Sequence, residues 1–564
     1  MPKRRYITAT LRPAHRVFAA ALALLFFNLA MASASCSLVS DTDTGAYSVA
    51  TAADVEAIVG CSQADPSAVF EFTADTIDLS SLNAPLDDFD GGTLRGGPDG
   101  VSLENLSISV TDEFSTGLFK GTGTGSVEVS GLHFVNPAII TRKASGSGNA
   151  GVLFGDTANA AALSLSDVRI EGATISATGG ASFAVGGLIG LVNPASEFTI
   201  SDVVIESSSI FNEGAGNHYA AGVFGNSSIK GSISNVRVMP DVTIRTGGSV
   251  SGESRLGGVF GNAVGGSFER VFVGSTVQST RPRAVAGGLG GEGSNISVTE
   301  FYFDGAVSVT DTSTGGNSAA FAHASGGVAK IKAIALKDSL ISGSVYGLIA
   351  NGTAGYFGKQ SAAVTSLTDT LVTAELSGPA GATLCLNTSE RYYGGATAGY
   401  LTGCFVSEFV DGSFVSEMVT GLKAADDGAS SVVSLTEAEL QDVSTFAGAG
   451  WSIFDGSGDD PSNDATWFID DGAPMLSWSV AALQEPEPSD PPQGGDGSAS
   501  PDVFMATTNP SGASPLLQNT TFDLTVAVTD ASGTDLALAD VGSVVAYVDG
   551  AEDGAGLRSA TLDP

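Results

Sequence analysis

A six-residue pattern, apolar-x-x-apolar-x-apolar, recurs roughly 33 residues apart along most of this chain. Copies fall at Leu103/Leu106/Ile108, Val129/Leu132/Phe134, Leu165/Val168/Ile170, Ile200/Val203/Ile205, Ile233/Val236/Val238, Phe268/Val271/Val273, Val298/Phe301/Phe303 and Ile331/Ile334/Leu336, and Val364/Leu367 continues the series with Asp369 in the last slot. Such regularity means one structural unit repeated with loop insertions. Each unit is rich in Val, Ile, Phe, Thr and Ser with period-two alternation, and lacks the long 3.6-residue periodicity of helical repeats. Two or three short strands per unit describe one coil of a parallel β-helix; a propeller blade is longer and carries aromatic or acidic pairs not found here. The expected fold is therefore all-β: a right-handed parallel β-helix (solenoid) with short helical caps.

Glycine clusters accompany the repeat. Gly151-Val-Leu-Phe-Gly155, Gly187-Leu-Ile-Gly190, Gly222-Val-Phe-Gly225 and Gly258-Val-Phe-Gly261 resemble phosphate cradles, but a cradle occurs once, between a strand and a helix. Recurrence assigns these glycines to the scaffold. Their expected task is to permit close backbone approach and positive φ at stacked corners.

The ends and the tail differ from the array. Residues 1–34 read as a signal peptide: Lys3, Arg4, Arg5, Arg12 and Arg16 precede the apolar Val17–Phe27, and Ala32-Ser-Ala34 offers a cleavage pattern. Residues 35–100 form the N-terminal cap and first coil, with Thr51-Ala-Ala-Asp54 opening a helix that carries Val55, Ile58 and Val59 on one face. Residues 101–430 are the array. Residues 431–483 form a C-terminal cap in which Thr436-Glu-Ala-Glu439 opens a second helix and all three tryptophans, Trp451, Trp467 and Trp478, gather as a lid. A Pro/Gly/acidic linker follows over 484–502, and 503–564 alternates Phe522, Leu524, Val526 and Val528 as a β-sandwich-like module would; at that length it is possible that the module is truncated.

These segments resemble a known architecture. Gly186-Gly-Leu-Ile-Gly190, with the strands "TISDVVI" and "SISNVRV" after successive glycine clusters, is similar to the GLUG motif of bacterial secreted and surface proteins. The flanks "YSVATAADVEAIV" and "STFAGAGWSIFDGSG" resemble segments that bracket such arrays, so the likeness covers about residues 40–480. Most copies carry Val or Phe in place of Leu, and Leu289-Gly290 breaks one. The resemblance implies a secreted or surface-attached, often adhesin-like protein with no shared active site.

Composition bounds the partners. The formal net charge of −37 repels nucleic-acid phosphates and anionic lipid. Beyond residue 34 no apolar run reaches spanning length, which gives no transmembrane span in the mature chain. Four cysteines, Cys36, Cys61, Cys385 and Cys404, form two local pairs, and in an oxidising compartment Cys36–Cys61 with Cys385–Cys404 is the simplest of three connectivities.

Candidate chemistry is sparse. Lyases and hydrolases on β-helices use paired carboxylates, or Ca²⁺ with a basic residue, on the outward face of neighbouring coils. Asp455, Asp459, Asp460 and Asp464 share one loop as a candidate Ca²⁺ site, though the EF-hand spacing fails; Asp87, Asp88 and Asp90 form a weaker cluster. His133 lies in an outward slot filled elsewhere by Arg169, Arg237, Phe272 and Tyr302, which reads as solvated surface. Among the other histidines, His218 and His323 belong to no motif; Arg281-Pro-Arg283 is a candidate contact for an anionic sugar, and Asn295 and Asn387 are chance sequons. The reading is a non-enzymatic extracellular or cell-surface protein without cofactors beyond Ca²⁺, its loops Asn212 to Tyr219 and Thr246 to Arg255 meeting a glycan or surface protein. The alternative is a lyase or glycoside hydrolase acting on anionic polysaccharide.

Overall fold

The computed structural model describes nearly all of residues 36–310, segments of 323–387 and 433–479, and the short strands Glu408–Phe409, Phe414–Ser416, Val544–Val548 and Arg558–Leu562. Residues 1–34, read as a signal peptide, Cys404, Asp459, Asp460, Asp464, residues 484–502, read as a linker, and Phe522 to Val528 lie outside the described residues. Two compact units divide the chain at Glu485 and Pro486. In the second unit the described strands Val544–Val548 and Arg558–Leu562 pair antiparallel.

The first unit is a parallel β-solenoid. One coil runs from Ala162–Glu171 through Thr174–Gly179, Ser182–Gly186 and Ile189–Val192, and the next begins at Phe198–Glu206. Each strand pairs in register with its counterpart one coil on, so Leu132, Val168, Val203, Val236, Val271 and Phe301 form one inward column. All six are buried. A nine-stranded sheet, from Ser107–Thr111 to Glu375–Ser377, stacks the second face of the coils.

Two residues separate the first inward side chains of each repeat, which in a straight strand would put them on opposite faces. A left-handed residue solves this. Gly131, Asp167, Asp202, Asn235, Arg270, Glu300, Asp338 and Asp369 have φ of 67, 51, 54, 52, 53, 55, 46 and 48°, bending each strand so that both flanking side chains point inward. Asp and Asn visit this region more readily than other non-glycine residues.

The same bend corrects the repeat at its ends. Val298 pairs with Leu336 and Leu336 with Leu367, so the last two copies are Leu336/Ser339/Ile341 and Leu367/Thr370/Val372 rather than those starting at Ile331 and Val364. Leu103 pairs with Phe134 instead of Val129. Its pattern reports a second left-handed corner, at Asn105 and Asn136 (φ 58 and 52°).

The motif glycines serve close approach alone. A Cβ on Gly187 would stand 1.9 Å from Gly222 O, one on Gly222 2.2 Å from Gly258 O, and one on Gly258 2.3 Å from Gly288 O. None of these three has positive φ, so the expected second role falls instead to the corner residues above. Their amides are engaged by the neighbouring coil, Gly222 N–H donating to Gly258 O at 2.9 Å and Gly258 N–H to Gly288 O at 2.8 Å. They cradle no phosphate.

At the start, Thr51 and Asp54 close a reciprocal capping box on the helix Ala52–Ala64, whose Val55, Ile58 and Cys61 are buried. A disulfide joins Cys61 to Cys36. The tryptophan segment, expected as a lid on the end of the array, covers a flank. Trp451 and Trp467, with Phe446 and Leu440 from the short helices Val443–Gly448 and Glu437–Leu440, pack on Phe272, Tyr302, Leu340 and Leu371. These four are consecutive members of the outward column. Large apolar side chains on four adjoining coils make a patch that water does not tolerate, and the segment buries it.

Candidate functional site

The outward column runs Ser102, His133, Arg169, Val204, Arg237, Phe272, Tyr302, Leu340 and Leu371. It is polar over its first part and clad over its last. Phe272 and Tyr302 are only 1% and 5% exposed, which corrects the expectation of a solvated slot there. Burial, followed by the Asp304 carboxylate, pushes the Tyr302 hydroxyl up to about 12.

Around His133 the parallel register sets up diagonal pairs. His133 Nε2 lies 3.1 Å from Glu171 Oε2, and Arg169 Nε donates to Glu206 Oε1. Glu171 and Glu206 are themselves register partners, so two basic and two acidic groups interlock across three coils. Ligand atoms of His133, Glu171 and Glu206 lie within 4.8 Å of one another. One imidazole and two carboxylates suit a divalent transition metal. Burial first, and the Arg169 guanidinium second, hold His133 below the usual imidazole range, which keeps its nitrogen available as a ligand. Arg169 opposes this by occupying Glu206.

A second cluster escaped the sequence reading. Arg255 is paired with Glu292 and Glu253, the latter at 2.9 Å, and donates to the Tyr219 hydroxyl at 3.0 Å; Lys330 Nζ reaches Glu253 at 3.0 Å and Glu292 at 3.1 Å. Two cations meet two anions, and the network closes on itself. Glu253 and Arg255 share one coil, and Tyr219, Glu292 and Lys330 come from its neighbours at intervals of 36 to 38 residues, brought together by the register.

The sequence-derived candidates disperse. Asp87 pairs with Lys120 at 3.0 Å, while Asp88 is held above the carboxylate range by burial and then by Asp87 and Asp90. Asp455 ends the strand Ile453–Asp455 as an exposed residue, and its loop partners lie outside the described residues. Asn295 is exposed at a corner, and the side chains of Asn387, His323 and Cys385 are outside the described set. Arg281 is 0% exposed, so it is no surface contact for a sugar; Pro282 and Arg283 are not described. Asn212, His218, Thr246 and Ser254, at the ends of the two loops expected to meet a partner, are buried, while Glu213 and Asn217 of the first loop are exposed and residues 248–251 of the second lie outside the described residues.

No family model and no curated protein matches this chain. Among solved structures, one described as "a putative immunoglobulin A1 protease from Bacteroides ovatus" aligns over 78% of this chain and 94% of its own, at 15% identity and a TM-score of 0.29. That likeness is too slight to transfer fold or activity. Among the described residues no helix is long and apolar enough to cross a membrane.

Proposed function

We propose that the chain is a secreted or cell-surface repeat protein of the GLUG-motif kind, adhesin-like or structural, holding outward groups and loops in register for a glycan or surface protein. One observation carries this reading: the outward column changes chemistry from coil to coil while the inward column beneath it stays apolar from Leu132 to Phe301. A scaffold conserves its interior pattern and varies its exterior. The Cys36–Cys61 disulfide supports an oxidising compartment, and Lys3 to Ala34 supports export into it. Cell fractionation with an antibody, followed by a glycan and host-matrix binding screen of the full chain, tests the proposal. Recovery in the cytoplasm with free thiols would sink it.

The interlocked His133, Arg169, Glu171 and Glu206 favour one second reading. Carboxylates beside basic groups on neighbouring coils are the arrangement with which β-helix lyases and hydrolases handle anionic polysaccharide. Incubation with pectin or alginate, read by reducing ends or unsaturated uronate, decides between them. Turnover abolished by Glu171→Gln would favour the enzyme.

A further inference from the structure

Arg281 follows the strand Thr276–Ser279, and its side chain turns into the coil rather than out of it. It is 0% exposed, and none of Nε, Nη1 and Nη2 has a hydrogen-bond partner. Only its main chain is tied down, the N–H donating to Ser279 Oγ at 3.2 Å. Burial lowers the guanidinium only to about 10, so it is charged at neutral pH. Glu213 favours that charge from a distance, yet it is exposed and forms no ion pair with Arg281 among the described residues.

Two more orphans belong to the same corner. His218 Nε2 and Ser254 Oγ are buried without partners, and Ser254 stacks on His218 one coil on. The next residue in that stack is Ala284, three positions beyond Arg281. The chemistry of each orphan can be read from its surroundings. Asn212 Nδ2 donates to Phe183 O at 3.2 Å and Tyr219 O at 3.1 Å, which leaves Oδ1 as the acceptor facing His218 Nδ1 at 2.7 Å. Nδ1 therefore carries the proton. Burial, and the nearby Arg281 second, keep the ring neutral against the opposing pull of the Gly214 backbone, and Nε2, which has no hydrogen-bond partner, offers a lone pair. The corner thus combines a bare guanidinium and a free hydroxyl with one acceptor that asks for a hydrogen.

An uncompensated buried cation is among the costliest features a fold can hold, and a water solvates it without neutralising it. A guanidinium presents parallel N–H groups matched to two oxygens of one oxyanion. We propose that this corner binds one small oxyanion that retains a proton, of the hydrogen phosphate or bicarbonate class. Two of its oxygens accept from Arg281, Ser254 Oγ donates to it, and its O–H donates to His218 Nε2. The full burial of Arg281 fits a free ion and excludes the sugar chain that the sequence Arg281-Pro-Arg283 suggested.

The test uses the full chain, freed of phosphate and carbonate and titrated separately with phosphate, bicarbonate, sulfate and chloride by calorimetry and thermal melting. One phosphate or bicarbonate per chain is expected, with a midpoint that climbs as the ion is added and a response to sulfate at least tenfold weaker. In Arg281→Met the melting midpoint in ion-free buffer is no lower than in the wild type, and the phosphate response is gone. Ser254→Ala binds more weakly and Arg281→Lys retains partial binding. Absence of uptake by the wild type, or an unchanged response in Arg281→Met, overturns the site. Equal responses to sulfate and phosphate overturn the role given to His218. The wild-type titration stands by itself should Arg281→Met fail to fold.

Discussion

Gly290 lies directly across from Phe260 in the parallel register, and a Cβ added to it would meet Phe260 Cε2 at 2.0 Å. In the preceding coils this position is Phe154, Ile189 and Phe224. The glycine that breaks the repeat thus makes room for the Phe260 ring, which turns to meet Phe268 with centroids 5.0 Å apart.

Gly290→Ala is expected to destabilise the solenoid by about 1–3 kcal/mol through overpacking. Adding Phe260→Leu should restore part of that loss, because it withdraws the ring atoms the new methyl strikes. Urea unfolding of the two single variants and the double variant measures the coupling; strictly additive effects would refute the steric account.

Phe272→Ala is expected to cost roughly 3–5 kcal/mol, the penalty of truncating a buried aromatic, although its side chain points away from the coil interior. Val204→Ala in the same column, partly exposed and uncovered, should stay below about 1.5 kcal/mol. Limited proteolysis should show the segment around Trp451 and Trp467 released first in Phe272→Ala. Equal costs at the two positions would mean that the tryptophans do not hold this flank.

His218 sets a pH dependence. Its folded pKa of about 3 lies below the ordinary 6.5, so its contribution is fully present above about pH 6.5 and is lost as pH falls toward 3. Asp369 acts in the opposite sense: burial, and then Asp338, raise it to about 6, so its penalty is relieved as pH falls from 6 toward 3.8. Imidazole NMR signals of His218 should stay at their neutral shift from pH 8 to 5. A midpoint near 6.5 would contradict its burial.

Zn²⁺ at micromolar levels is expected to leave the wild-type melting temperature unchanged, because Arg169 engages Glu206. Arg169→Gln frees the three ligand groups, and Zn²⁺ should then stabilise the protein in a way that His133→Ala removes. A wild-type response to Zn²⁺ would show that the guanidinium yields readily.

The inward column was legible because stacked coils must repeat their apolar slots, and six copies of the pattern from Val129 to Phe303 share one register. The pattern failed at Leu103 because the left-handed bend at Asn105 creates the same spacing, and only pairing tells one corner from another; pairing likewise moves the Ile331 copy to Leu336. Glycine misled on φ since Asp167, Asp202 and Asn235 take that conformation with a side chain in place. Trp451 and Trp467 were visible as concentrated aromatic area, yet their seat was written elsewhere, in Phe272 and Tyr302. Arg281 was visible only as half of a basic pair taken for surface, and His218 belonged to no motif: whether a corner residue turns in or out depends on packing against the next coil.

The left-handed corner also gathers acidic side chains into two short runs. Asp167 and Asp202 form one run of carboxyl groups along this edge and Glu300, Asp338 and Asp369 another, parted by Asn235 and Arg270, with neighbouring rungs about 4.8 Å apart, well inside the roughly 8 Å over which physiological salt screens; Arg270 pairs with Glu300 at 3.0 Å and Lys337 with Asp338 at 3.2 Å. Adjacent carboxylates repel along the stacking direction, and at Asp369 burial first and Asp338 second hold the carboxyl above its ordinary range. A surrounding atmosphere of cations relieves that strain, so the cohesion of this edge draws in part on the saltiness of the medium around it.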